Sequence, residues 1–363
     1  MLLKSLPLTI LPDGLAAQLA SLGILTSTDL IFSSTSLLEI YMRLPSKSIS
    51  FADFEACIDS ISEKLATPGL EAAKLDHETR LDFELETLSS LDNYLGGGLP
   101  CRRVIEISGD KGSGKSVLLL NCVLTSLLKN EDISALWIDT SGDFAIEKAV
   151  QILEYHRQTP DNMEIILQRL HISTAVDIES VQEIIRALDV QLAHPESIPR
   201  MRCIVIDPVT PLLGPYLSAV SSQGHAIMTA FMRYLHDLAT RYSLLVLVVN
   251  NATLMRARST NRAQMPVQAV SNPISAFAST IRKPALGPSF TFMTDATLWV
   301  SLWPEKKESE ERSTAHVIEV FRSKFSVSKY LAKSVVLPDK FDIQVSNVWS
   351  PFRINSSGVL LAD

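Results

Sequence analysis

Gly109-Asp110-Lys111-Gly112-Ser113-Gly114-Lys115-Ser116 is the stretch that decides the fold. It has the spacing GxxxxGK[ST] and sits between a short apolar run at 104–108 and a long apolar-periodic segment at 117–128. That context reads as strand, tight turn, helix. Glycines let successive backbone N–H groups turn inward around an anion, and the start of a helix adds partial positive charge. In such a loop Lys115 reaches the β and γ phosphates of a nucleotide and the Ser116 hydroxyl ligates Mg²⁺. All eight residues are expected to cradle ATP.

Two further segments extend this reading. Cys203-Ile204-Val205-Ile206-Asp207 is an apolar strand ending in a carboxylate, which suits Asp207 to hold Mg²⁺ beside the phosphates together with Ser116. Trp137-Ile138-Asp139-Thr140-Ser141-Gly142-Asp143-Phe144 follows the loop helix after a short turn, so its strand is expected in the same sheet with its end facing the nucleotide.

Beyond the loop, 135–139, 165–172, 202–207, 244–250, 296–302, 315–321 and 333–337 read as strands, and 147–155, 178–192 and 226–242 as helices. The alternation predicts a mainly parallel sheet covered on both faces, with an antiparallel edge where the late strands crowd together. Before the core, Leu15, Leu19 and Leu22, then Leu30 to Tyr41, then Phe51, Phe54, Ile58, Ile61 and Leu65 recur at helical spacing. The expected organisation is an N-terminal helical domain at 1–68, a linker at 69–87 and an α/β core at 88–363.

Hydrophobic residues make up 46% of the 363, which excludes a disordered chain, and no apolar run reaches the ~20 residues that span a bilayer. Pro7, Pro12 and Asp13 come too early for a secretory signal. Cys57, Cys101, Cys122 and Cys203 are too scattered for a zinc site or disulfide framework. Of the net charge of −7, residues 1–95 carry −8 (6 basic, 14 acidic) and residues 96–363 carry +1 (27 basic, 26 acidic). An acidic N-terminal unit repels nucleic acid and suits a protein partner.

The order of these segments resembles a RecA-type recombinase core. Leu91-Asp92-Asn93-Tyr94-Leu95-Gly96-Gly97-Gly98-Leu99-Pro100 is similar to that family's entry into the loop. The 138–144 and 204–213 stretches are similar to its second-strand and metal-carboxylate segments. Arg282-Lys283-Pro284-Ala285-Leu286-Gly287-Pro288-Ser289-Phe290 resembles the KPALGxSW segment of the D-type eukaryotic paralogue. The resemblance implies a RecA-like P-loop NTPase core, residence in the nucleus, and a hetero-oligomer with other RecA-like paralogues. Such a complex assists the main recombinase on single-stranded DNA in homologous recombination and double-strand-break repair.

Departures from the pattern predict binding with weak or absent hydrolysis. Ser141 stands where strand-exchanging relatives carry a water-activating glutamate, and a hydroxyl is a poor general base. Asp143, two residues on, is the nearest catalytic substitute. The family's sensor glutamine aligns with Ala252, and the linker lacks the Phe-x-x-Ala docking motif. Residues 253–283 resemble the second DNA loop. They hold Arg256, Arg258, Arg262, Arg282 and Lys283 with no acid, as a loop neutralising DNA phosphates would. The expected first DNA loop, 214–224, has no Lys or Arg. Two other readings stay open: a DNA-stimulated ATPase with its own strand-exchange activity, and a P-loop enzyme of another class such as a small-molecule kinase.

Overall fold

The computed structural model describes residues 3–5, 11–12, 14–31, 33, 35–65, 82–85, 88–193, 200–217, 222–255, 270–277, 279–303, 313–325 and 348–362. Helical spacing of leucines builds the first of two units, Met1–Arg80. It contains α1 (Leu15–Ser21), α2 (Ser27–Ile31), α3 (Leu37–Arg43) and α4 (Phe51–Leu65). Leu15, Leu19, Ile40, Phe54 and Ile61 close its core. Ser36 caps α3 by accepting from Glu39 N–H, and Ser50 with Asp53 forms a reciprocal cap on α4. The apolar stretch read as one cluster, Leu30 to Tyr41, is divided between α2 and α3.

The second unit is Leu81–Asp363. It opens with β1 (Asp82–Phe83), α5 (Ser89–Leu95) and β2 (Leu99–Pro100), β1 and β2 pairing antiparallel. Phe83 and Leu85 are buried in the core of this unit. The tail of the stretch expected as linker is therefore part of the α/β unit, because these apolar side chains have a surface to cover.

The central elements follow as β3 (Arg103–Gly109), α6 (Lys115–Lys129), β4 (Ile133–Asp139), α7 (Ile146–Tyr155), α8 (Pro160–Gln168), β5 (Leu170–Thr174), α9 (Ile178–Leu192) and β6 (Arg200–Asp207). Then come α10 (Thr210–Leu213), α11 (Ser222–Tyr242), β7 (Leu245–Asn250), β8 (Ala252–Leu254), β9 (Arg282–Pro284) and α12 (Gly287–Met293). The chain closes with β10 (Ala296–Leu302), β11 (Ser313–Ser323), β12 (Trp349–Asn355) and β13 (Leu360–Ala362).

Nine strands form one sheet in the order β13-β12-β11-β10-β3-β7-β6-β4-β5. From β10 to β5 all neighbours are parallel, and β11, β12 and β13 add the antiparallel edge expected from the crowded late strands. Central strands are apolar on both faces. Val205 and Leu247 lie with α6 and α7 in one core cluster; Ile204 and Val248 lie with α9 and α11 in the other. Register aligns the strand ends: Asp139 pairs with Asp207, Ser108 with Asn250, and Gly109 with Val300. The fold thus brings polar groups from sequence-distant strands to one rim.

Of residues 165–172, expected as a strand, 165–168 are helical and 170–172 are strand. Thr159 Oγ1 accepts from Asn162 N–H and Pro160 occupies the first turn, so α8 runs to Gln168 and β5 begins at Leu170. The expected strand at 333–337 lies outside the described residues. No described helix is long and apolar enough to cross a membrane.

Candidate functional site

β3 delivers Gly109 to the rim in close contact with β10. A Cβ on Gly109 would lie 2.1 Å from the Val300 carbonyl oxygen, so only glycine fits. Gly114 precedes α6 with φ +89°, and no side chain caps the helix. The first-turn N–H groups of a 15-residue helix are thereby left to the loop.

Lys115 is buried. Its Nζ donates to the carbonyl oxygens of Gly109, at 2.9 Å, and Asp110, at 2.6 Å. Burial lowers the Lys115 ammonium to about 8, against the pull of Asp207 and Asp110. Asp207 ends β6 and lines the same cavity as Ser116. Burial raises Asp207 to about 6, opposed by Ser116 and Lys115. The structure therefore unites Lys115, Ser116 and Asp207.

Asp139 was not singled out by the sequence reading, and it builds the adjoining turn. Its Oδ1 accepts from the N–H groups of Ser141 (3.0 Å) and Gly142 (2.9 Å), and its Oδ2 from that of Phe144 (3.0 Å). Burial works to raise its pKa, yet these hydrogen bonds hold it below the ordinary value. The turn leaves Asp143 exposed on the wall of a cavity of about 540 Å³, whose lining also includes Lys111, Lys115, Ser116, Asp207 and Asn251. The side chain presented at the end of β7 is Asn251 rather than Ala252, which starts β8 and does not line the cavity. An amide, not a methyl group, stands there.

Three tertiary contacts behind the loop had no local signal in the sequence. His316 on β11 lies 2.9 Å through Nδ1 from the carbonyl oxygen of Ser113, with its ring stacked on Phe352. Glu106, fully buried on β3, accepts from Ser108, Asn250 and Thr297. Asn250 Oδ1 in turn accepts from the hydroxyl of Thr210, and that hydroxyl accepts from Asn251 N–H.

The third contact concerns the basic segment. Arg256, Arg258 and Arg262 lie outside the described residues. Arg282 and Lys283 lie on β9, which pairs with β8. Arg282 does not project free: its guanidinium is 3.3 Å from Asp110 Oδ1 in the glycine-rich loop. Of the expected first DNA loop, residues 218–221 lie outside the described residues, and α11 begins at Ser222, four residues earlier than expected.

The chemistry of this donor set fits a polyphosphate with a divalent cation: an uncapped helix start, a buried lysine, and a hydroxyl and a carboxylate lining one cavity. Among the described residues no group of three or more His, Cys, Asp or Glu would hold a metal by itself. A cation at Ser116 and Asp207 would draw its remaining oxygen ligands from phosphate and water. A larger groove of about 1,050 Å³ opens away from this rim, beside β5. Glu131, Ser134, Arg169, His171 and Arg200 are among the residues lining it, and none belongs to the glycine-rich loop.

The core is that of a RecA-like ATPase fold. Residues 83–285 match the Rad51 family model, and the chain belongs to the Rad51 family. It is 29% identical to DNA repair protein RAD51 homolog 4 of Mus musculus over 168 residues, 46% of this chain and 51% of that protein. The Bos taurus protein of the same name is 29% identical over 215 residues, 58% and 59% of the two chains. DNA repair protein RAD51 homolog 2 of Mus musculus is 23% identical over 186 residues, 47% and 51%. The chain spans between half and three fifths of these relatives. The crystal structure of the RadB recombinase superposes with a TM-score of 0.51 at 20% identity, covering 77% of this chain and 99% of that one, a likeness of fold.

Proposed function

We propose that this chain is a D-type recombinase paralogue: an ATP-binding subunit of a mediator complex that assists recombinase filaments on single-stranded DNA during homologous recombination and double-strand-break repair. The observation that carries the nucleotide part is the convergence of Lys115, Ser116 and Asp207 at an uncapped helix start. Gly109 to Ser116 would wrap the phosphates, and Ser116 with Asp207 would hold Mg²⁺. When bound, the cation neutralises phosphate charge.

Hydrolysis is a separate matter. Ser141 Oγ is 3.2 Å from Asp139 Oδ1, but that carboxylate is occupied by three backbone N–H groups and is a weakened base. We therefore read ATP as a conformational ligand that stabilises assembly by mass action. Asp143 on the cavity wall favours the second reading, a DNA-stimulated ATPase.

A heteromeric partner is supported by the open edge of the sheet. Among the described residues β5 has no neighbour on one side, and Ile172, Val176 and Val190 in and around β5 and α9 are exposed apolar residues. Relatives named as RAD51 homologs make other family members the expected partners. Nuclear residence accompanies that role. The test is subunit mass measurement of affinity-purified full chain with and without ATP. Recovery with a second paralogue supports the reading. Recovery alone in both conditions contradicts it.

A further inference from the structure

The resemblance assigned Arg282 to a DNA loop, but the fold places it against Asp110 of the glycine-rich loop, beside the cavity that Lys111, Lys115 and Ser116 line. It sits on β9, and Asn272 Nδ2 donates to its carbonyl oxygen at 2.8 Å. The Met255 N–H donates to the Ile281 carbonyl at 2.8 Å, and the Ala285 N–H to the Asn251 carbonyl at 2.8 Å. The hairpin backbone is thus tied to Asn251 on the cavity wall. The guanidinium comes to 3.3 Å from Asp110, the second residue of the glycine-rich loop.

This contact is loose. Asp110 Oδ1 makes no hydrogen bond, so the guanidinium meets it as a charge and not as an aligned donor. Both side chains are more than two fifths exposed, and such pairs are weak. The same carboxylate is felt by the Lys115 ammonium. Asp110 therefore meets Arg282 directly and attracts Lys115, next to a cavity whose lining carries Asp139, Asp143 and Asp207. A terminal phosphate brings more charge and better acceptor geometry than a single carboxylate, and a planar guanidinium can bind two of its oxygens at once.

We propose that Arg282 is a phosphate-reading residue of the nucleotide site, parked on Asp110 and transferred to the terminal phosphate of a bound nucleoside triphosphate, so that the chain discriminates triphosphate from diphosphate. This rests on the nucleotide-binding reading above and names the residue that sets its specificity.

The test is titration of the full chain, with Mg²⁺, against ADP and the β,γ-imido analogue of ATP. It compares the unaltered protein with Lys115→Ala, Arg282→Ala, Arg282→Lys, Asp110→Asn and the Asp110→Asn/Arg282→Ala pair, each checked for an unchanged circular dichroism spectrum. Arg282→Ala is expected to weaken the triphosphate analogue about tenfold and ADP less than about twofold, with part of the loss restored by Arg282→Lys. Asp110→Asn is expected to tighten the triphosphate analogue, and the gain is expected to vanish in the double variant. Equal losses for both nucleotides, no loss, or a gain that persists without Arg282 would overturn the proposal while leaving nucleotide binding intact. Lys115-independent or absent nucleotide capture by the unaltered protein would overturn the binding reading itself, and this proposal with it.

Discussion

His316 Nδ1 lies 2.9 Å from the carbonyl oxygen of Ser113, two residues before the lysine of the glycine-rich loop. A carbonyl can only accept, so Nδ1 carries the proton and Nε2 accepts from the Thr314 hydroxyl at 3.0 Å. Burial lowers the pKa of the ring and keeps it neutral. The antiparallel edge of the sheet thus supports the loop from behind. His316→Leu removes the donor and leaves the Ser113 carbonyl unpaired, which should cost ~1–3 kcal/mol of stability. The melting temperature should fall and nucleotide affinity should weaken several-fold. An unchanged melt would show that the ring merely fills space.

Gly114 tests the same support from the loop side. Its φ is +89°, and a Cβ there would come within 2.6 Å of Ile354 Cδ1 on β12. Gly114→Ala combines backbone strain of ~1 kcal/mol with that overlap. Adding Ile354→Ala should relieve the overlap and leave the strain, so nucleotide affinity should recover in part. Full recovery, or none, would contradict this division.

Burial raises the Glu106 carboxyl above its ordinary value of 4.5. The unfolded chain ionises from about that pH while the folded chain keeps its proton longer, so unfolding releases a proton and stability falls as pH rises. Glu106→Gln removes this pH dependence and retains an acceptor for Asn250. The stability of Glu106→Gln relative to the unaltered chain, followed by melting, should climb as pH rises above about 4.5, by no more than ~1.4 kcal/mol per pH unit. A flat difference would mean that Glu106 ionises normally despite its burial.

Lys115 gives the pH dependence of binding. The ammonium titrates at about 8 in the free protein because burial penalises its charge. A bound phosphate raises that value, so binding takes up a proton above pH 8, and affinity should fall as pH rises, approaching tenfold per unit. Calorimetry near pH 8.5 in buffers of differing ionisation enthalpy should report uptake of part of a proton. Zero uptake would place Lys115 off the phosphate.

The loop, the strands on either side of it and the antiparallel edge were legible because apolar runs, glycine spacing and strand-ending carboxylates are local signals. Residues 165–168 were misread as strand because Ile165, Ile166 and Leu167 look like a buried strand, although Thr159-Pro160 is a helix start. The roles of His316, Asn250 and Arg282 were not legible. Their partners Ser113, Glu106 and Asp110 lie more than 140 positions away, and only the sheet order brings them together. Ala252, aligned with the sensor by resemblance, starts β8, and the cavity is lined by Asn251 before it.

The exposed apolar residues at the β5 edge give a separable prediction. Ile172→Asp and Val190→Asp should leave melting and nucleotide affinity within error, since both side chains are solvent-exposed, while abolishing association with a second paralogue. Retained association would move the interface elsewhere.

The central claim is a site that binds ATP without turning it over at a motor rate. The most direct measurement pairs equilibrium binding of ATP with steady-state phosphate release in the presence of single-stranded DNA, each against Lys115→Ala. Saturable binding that Lys115→Ala abolishes is expected, with phosphate release no faster than in that variant. Binding indifferent to Lys115, or rapid DNA-stimulated release that depends on it, would contradict the account.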